Sequence, residues 1–154
     1  MSRPRSDRAA IKTSSSSWFC SPPRLPGNSA GKRLADRLLP TGIGQCVFFA
    51  AVIIGLGIDV PIPVRAIFAL HAVATLAAGA WCLVNFWRCR EAHCVVNGIG
   101  WSGLGLLILV EVALGRSLIG GFEEAAFLGV LAAAIGFEVL WRARYGTNAV
   151  LTMS

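Results

Sequence analysis

The chain has 154 residues, of which 55% are hydrophobic and 14% are charged, and its formal net charge is +6 at pH 7. Soluble globular domains carry about 25% charged residues, so this composition excludes an ordinary soluble domain and indicates an integral membrane protein. The length allows one domain. No pair of nucleophile and base can be assigned in the sequence, so we do not expect an enzyme.

The first forty residues differ from the rest of the chain. Residues 1–40 are polar, rich in Ser, Pro and Arg, and contain eight of the fourteen Lys and Arg residues. A secretory signal would need an apolar stretch directly after a basic start, and a segment this polar buries too little apolar surface to offset the entropy of ordering. We therefore predict a disordered basic cytoplasmic tail. It lacks aromatic interleaving and any known binding module, so no nucleic-acid partner is expected.

Four apolar stretches follow this tail. Each approaches the roughly 20 residues that a helix needs to cross about 30 Å of hydrocarbon. They cover about 41–58, 64–87, 97–114 and 122–141. Pro61 and Pro63 separate the first two stretches because proline does not continue a helix. The prediction is an all-α fold, an integral membrane four-helix bundle over 41–145, followed by a short cytoplasmic tail at 146–154.

The distribution of positive charge predicts the orientation of the bundle. Besides the eight basic residues of the tail, two lie between the second and third stretches and two follow the fourth, whereas Arg65, at the beginning of the second stretch, and Arg116, after the third, are the only ones at the other face. Lys and Arg concentrate on the cytoplasmic side of membrane proteins. We therefore expect a multi-pass protein of the plasma (inner) membrane, with both termini in the cytoplasm.

The stretch WRCREAHCVVNGIGW, residues 87–101, joins the second and third stretches and contains a Cys-x-x-x-His-Cys sequence. Two further cysteines lie near the same membrane face in the predicted topology. The candidate metal ligands are Cys89, His93, Cys94, Cys82 and Cys46. If the helix continues into the loop, Cys89 and His93 lie one turn apart on one face.

Chemistry limits the ions that such ligands would hold. Cytoplasmic thiols stay reduced, and thiolate with imidazole favours zinc, while thiolate alone favours softer ions such as Cu(I). We therefore expect Zn, Cu(I) or Hg as a bound or transported ion, and no resident cofactor is assigned with certainty. The alternative interpretation stays open: the stretch is a polar loop with no metal-binding role, and its cysteines are small residues that a membrane tolerates.

Ionisable side chains also fall inside the apolar stretches, where charge is costly and often marks a pathway. His71 and Glu111 lie in the outer halves of the second and third stretches and predict an intramembrane polar pathway. Glu138 is four residues before Arg142, a spacing typical of a pair on a helix surface. GIGWSG, residues 98–103, matches a dinucleotide-binding pattern but lacks the preceding strand, so we interpret its glycines as helix-packing positions.

Three functional hypotheses remain at the level of sequence. The first is binding or transport of a thiophilic metal ion, with His71 and Glu111 at the entry and the cysteine loop receiving the ion. The second is a non-catalytic accessory or assembly subunit of a larger membrane complex. The third and weaker one is a membrane thiol oxidoreductase, which would need a quinone site and normally a close cysteine pair. The expected partners are the lipid bilayer and either further copies of the chain or a larger complex.

Overall fold

The computed structural model describes residues 30–38, 43–57, 63–146 and 150, and they form five α-helices with short connections. The helices are α1 (Ala30–Leu38), α2 (Ile43–Leu56), α3 (Val64–Cys89), α4 (Ala92–Leu114) and α5 (Glu123–Tyr145). This confirms the predicted all-helical fold class.

Three of these helices, α3, α4 and α5, are long and apolar enough to cross a membrane. Helix α2 is apolar but has only 14 residues, which corresponds to about 21 Å of rise against about 30 Å of hydrocarbon. The Gly57 N–H donates to the Ile53 carbonyl where α2 ends. Three of the four predicted membrane stretches therefore have the length of a span, while the ends of the first stretch lie outside the described residues.

Helices α3 and α4 form an antiparallel pair that small residues hold close together. A Cβ added to Gly79 would lie 2.7 Å from the backbone nitrogen of Ser102, and one added to Gly98 would lie 2.7 Å from Cδ2 of Leu83. Gly98 and Gly100, which meets Val130 of α5, are therefore packing positions, as predicted, whereas a Cβ added to Gly103 would meet nothing within 4 Å. Gly105 meets Leu76 in the same way as Gly98 meets Leu83. In all three α3–α4 pairs the two residue numbers add to 181, so a residue of α3 faces the residue of α4 whose number completes that sum.

Trp101 on α4 joins the outer helices to this pair. Its ring stacks on Phe127 of α5 with the centroids 4.5 Å apart, and its indole N–H donates to the Phe127 carbonyl over 3.0 Å. The centroid of the Phe49 ring from α2 lies 5.9 Å from that of Trp101. Helix α2 also packs on α3, because Phe48 stacks on Trp81 with the centroids 4.3 Å apart. Helices α2 to α5 thus share one core.

Two terminal segments meet this core at the end where α3 gives way to α4. Helix α1 lies within the segment predicted to be disordered, and a Cβ on its Gly31 would lie 2.9 Å from the ring of Trp87. The backbone N–H of Val150 donates to the carbonyl of Arg90 over 2.7 Å. Residues from both terminal parts of the chain therefore lie beside the cysteine stretch.

Candidate metal site

The cysteine stretch contains a sharp helix break between Cys89 and Ala92 in place of the loop that the sequence predicts between residues 87 and 97. Arg90 adopts the left-handed conformation with φ 56°, and its N–H bonds to the Phe86 carbonyl to close α3. Glu91 is extended and precedes α4, which begins at Ala92 instead of near residue 97. His93 and Cys94 therefore belong to the first turn of α4.

This break brings three ligand types together. One oxygen of Glu91, one ring nitrogen of His93 and Sγ of Cys94 all lie within 4.8 Å of one another. Nε2 of His93 is 3.3 Å from Sγ of Cys94 and 3.7 Å from Oε2 of Glu91. Cys94 and Glu91 are buried, with exposed fractions of 1% and 3%. We call Glu91, His93 and Cys94 the first-turn cluster.

Two of the three ligand–ligand distances in the first-turn cluster, both from Nε2 of His93, are close to those around a tetrahedral ion, and the third is within 4.8 Å. Zinc bonds of about 2.3 Å to sulfur and about 2.0–2.1 Å to nitrogen and oxygen separate tetrahedral ligands by about 3.6 Å for S–N and about 3.4 Å for N–O. The two distances measured from Nε2 of His93 differ from these values by only a few tenths of an ångström. Three protein ligands leave a fourth position open, as in sites whose ion exchanges ligands.

Glu138 of α5 completes the surroundings of His93 from the neighbouring helix. Its Oε2 lies 2.5 Å from Nδ1 of His93. When Nδ1 donates a proton to this carboxylate, the lone pair of Nε2 points to Cys94 and Glu91. A carboxylate on the distal nitrogen of a ligating histidine is the usual partner that fixes its tautomer and ring orientation. Glu138 is therefore the candidate positioning residue for the cluster.

A cavity of about 280 Å³ adjoins the first-turn cluster and is lined by residues of α2, α3, α4 and α5. Its polar lining residues are Gln45, Cys46, Cys82, Asn85, His93, Cys94, Asn97 and Glu138. The remaining lining side chains are apolar. Cys46 and Cys82, two of the predicted ligands, thus share a cavity with His93 and Cys94.

Cys89, the fifth predicted ligand, is the last residue of α3, and its side chain lies outside the described part of the structure. The expected relation between Cys89 and His93, one turn apart on a single helix, does not occur. The left-handed Arg90 between them ends the helix and reverses the chain. Its side chain turns back on α3, with the guanidinium carbon 5.4 Å from the centre of the Phe86 ring.

The other two predicted residues, His71 and Glu111, lie at the far end of the α3–α4 pair. In the register of this pair Cys94 is level with Trp87, sixteen residues from His71, or about 24 Å along the helix axis. Both side chains are buried, and among the described residues no hydrogen-bond partner is found for either ring nitrogen of His71. The structure therefore does not bring these two residues to the cysteines.

Glu111 belongs to a hydrogen-bonded turn at that far end. Its Oε1 accepts the Leu118 backbone N–H over 2.6 Å and lies 3.5 Å from the hydroxyl of Ser117. That hydroxyl donates to Oε1 of Glu123 over 2.6 Å and accepts the Gly121 N–H. Glu111 and Glu123 thereby fix the connection from α4 to α5, which gives both residues a structural role.

Two members of the site were missed from the sequence. Glu91 lies within the stretch 87–101. The signal that could have identified it is a carboxylate, a common metal ligand, close in sequence to His93 and Cys94. Glu138 was assigned to a surface pair with Arg142, whereas the structure places it against His93. An acidic residue in the apolar α5, near the same end as the cysteine stretch, was the signal for that contact.

Comparisons of the chain with protein-family models, with curated proteins and with solved structures gave no match. The functional assignment therefore rests on the geometry of the site.

Proposed function

We propose that this chain is a small multi-pass membrane protein that binds a thiophilic metal ion at the first-turn cluster. The observation that carries the proposal is the position of His93. Its Nδ1 contacts the Glu138 carboxylate, while its Nε2 faces both Cys94 Sγ and Glu91 Oε2 at distances that suit a shared ion. Thiolate, imidazole and carboxylate together favour zinc, and the thiolate also accommodates Cu(I) and Hg.

The site is suited to an ion in transit as much as to one permanently bound. Three ligands leave one coordination position free, and the adjoining cavity contains the further thiols of Cys46 and Cys82. An ion held by the first-turn cluster thus has other ligands within reach. Transport is the proposed extension of binding, with His71 and Glu111 at the opposite end of α3 and α4 as the entry.

The proposed membrane arrangement has four crossings and both termini in the cytoplasm of a plasma-membrane protein. Helices α3, α4 and α5 support three crossings by length and composition. The fourth needs α2, whose 14 residues would require a thinned bilayer or flanking residues at the interface. Positive charge supports the orientation, because twelve of the fourteen Lys and Arg residues lie on the proposed inner side.

A second function, as an accessory subunit of a larger membrane complex or a homo-oligomer, is favoured by α5. Ala125, Gly129 and Ala133 recur every four residues on this helix and are exposed, and a Cβ added at Gly129 would meet nothing within 4 Å. Small residues at this spacing let membrane helices approach closely. The two functions are compatible, since the first-turn cluster lies on another helix.

Metal content per chain tests the proposed function. The full chain is purified in detergent, loaded with Zn²⁺ and measured by mass spectrometry beside a His93→Ala, Cys94→Ser variant. We expect near one ion per wild-type chain and at least a tenfold loss in the variant. Cys20→Ser, a cysteine substitution far from the cluster in sequence, is the matched control. Equal, low metal in all three proteins would contradict the proposal and favour the accessory-subunit function.

A further inference from the structure

The two remaining described cysteines, Cys46 and Cys82, lie at one level on neighbouring helices. Phe48 near the beginning of α2 stacks on Trp81 near the end of α3, so these helices run antiparallel. In this antiparallel pair, residues of α2 before Phe48 lie level with residues of α3 after Trp81. Cys46 is two residues from Phe48 and Cys82 one residue from Trp81, an offset of about 1.5 Å along the axes.

Both cysteines line the cavity that adjoins the first-turn cluster. The cavity has a volume of about 280 Å³, and of its two remaining cysteines Cys82 is buried while Cys46 is exposed at the surface of α2. In the α3–α4 register Cys82 lies five residues beyond the level of Cys94, or about 7.5 Å. One ion with sulfur bonds of about 2.3 Å does not span that separation. Cys46 and Cys82 are therefore a position separate from the cluster.

From this juxtaposition we infer that Cys46 and Cys82 form a second metal site, which binds a soft two-coordinate ion between two thiolates. The inference deepens the proposed function and rests on it for the role of the site, which is to receive the ion that the first-turn cluster releases. Binding displaces one proton from each thiol and forms two metal–sulfur bonds, with no change of oxidation state.

The cavity also selects the class of ion. Among the described residues that line the cavity Glu138 is the one carboxylate, and it contacts His93. At the level of Cys82 the described lining side chains offer thiols, amides and apolar groups, so within this part of the structure a hard cation finds no anionic oxygen. Apolar surroundings penalise net charge. A divalent soft ion with two thiolates is neutral, which makes Hg²⁺ the best match, whereas zinc requires four ligands in a closed site.

The test uses Hg²⁺ with the full chain in detergent, in a Cys20→Ser, Cys89→Ser background that leaves three cysteines. Adding His93→Ala and Cys94→Ser removes the first-turn cluster and leaves only Cys46 and Cys82. We expect this protein to bind one Hg²⁺ per chain, with two sulfur neighbours by X-ray absorption. Changing either remaining cysteine to serine should weaken binding at least 100-fold. Ala80→Ser, at an exposed position of α3 two residues from Cys82 and outside the cavity lining, is the matched control and should bind as its parent does.

Three results would overturn the inference: one sulfur per ion, two sulfurs supplied by different chains, or binding that survives Cys82→Ser. The proposed function is tested separately, by Zn²⁺ binding to the wild type and its loss in the His93→Ala, Cys94→Ser variant. None of the three results above would change the outcome of that test. Conversely, a two-sulfur Hg²⁺ site in a protein whose cluster never holds zinc would support the second site and contradict the proposed function.

Discussion

Oε2 of Glu138 on α5 lies 2.5 Å from Nδ1 of His93 in the first turn of α4. This contact links two helices that are consecutive in the chain and fixes which ring nitrogen of His93 faces the cluster. A proton on Nδ1 would face this carboxylate and would leave Nε2 as the ligand atom beside Cys94 and Glu91. The tautomer that a metal ion requires is therefore the one that a residue outside the cluster favours.

Replacing Glu138 should weaken metal binding without removing any ligand. Loss of such an outer partner typically costs 10- to 100-fold in affinity, and we expect Glu138→Ala to raise the Kd for Zn²⁺ by this factor. The measurement is competition with a chelating dye in detergent. Glu124→Ala, an exposed acid on the same helix, should leave the Kd unchanged. Equal affinity in all three proteins would show that Glu138 does not position His93.

Zinc affinity should rise with pH. An ion held by the Cys94 sulfur binds the thiolate, so binding displaces the thiol proton. Release of one proton per ion corresponds to about a tenfold gain in affinity per pH unit. Titrations of wild type between pH 6 and 7.5 should show this slope, and Cys94→Ser should flatten it along with weakening binding. A wild-type affinity independent of pH would argue that Cys94 is not a ligand.

The α3–α4 pair should be sensitive to substitution at Gly79. A Cβ there would lie 2.7 Å from the Ser102 backbone nitrogen, and backbone atoms do not move aside cheaply. We expect Gly79→Ala to lower the free energy of unfolding by about 1–3 kcal/mol, measured by denaturation in mixed micelles. Gly129→Ala is the control, because its added Cβ meets nothing within 4 Å and alanine favours the helix by up to about 1 kcal/mol. A stable Gly79→Ala protein would contradict the close approach of these helices.

The short helix α2 makes the topology testable. If α2 crosses the membrane, reporters fused at residue 1 and after residue 154 should both read as cytoplasmic, and one inserted near residue 120 as external. If α2 instead lies in the membrane–water interface, three crossings remain, and the reporters at the two termini should be found on opposite sides of the membrane. The second pattern would remove the four-crossing arrangement while leaving the geometry of the cluster intact.

The fold could be predicted further than the site. Composition and the length of the apolar stretches predict helices, and Gly98 indicates where α4 approaches α3. The helix break could not be predicted, because Arg90 adopts a left-handed conformation that nothing in its residue type favours. That one backbone conformation places His93 and Cys94 inside α4, separates them from Cys89 and creates the position of Glu91. The contact of Glu138 depends on how α5 docks, which is tertiary information absent from the spacing of Glu138 and Arg142.

The most direct test of the central claim is X-ray absorption at the zinc edge of the wild-type chain loaded with one equivalent of Zn²⁺. The first-turn cluster predicts a mixed shell with one sulfur and with nitrogen and oxygen neighbours, and loss of the sulfur contribution in Cys94→Ser. A shell of nitrogen and oxygen alone, or a sulfur signal that persists in Cys94→Ser, would contradict the assignment of Glu91, His93 and Cys94 as the metal site.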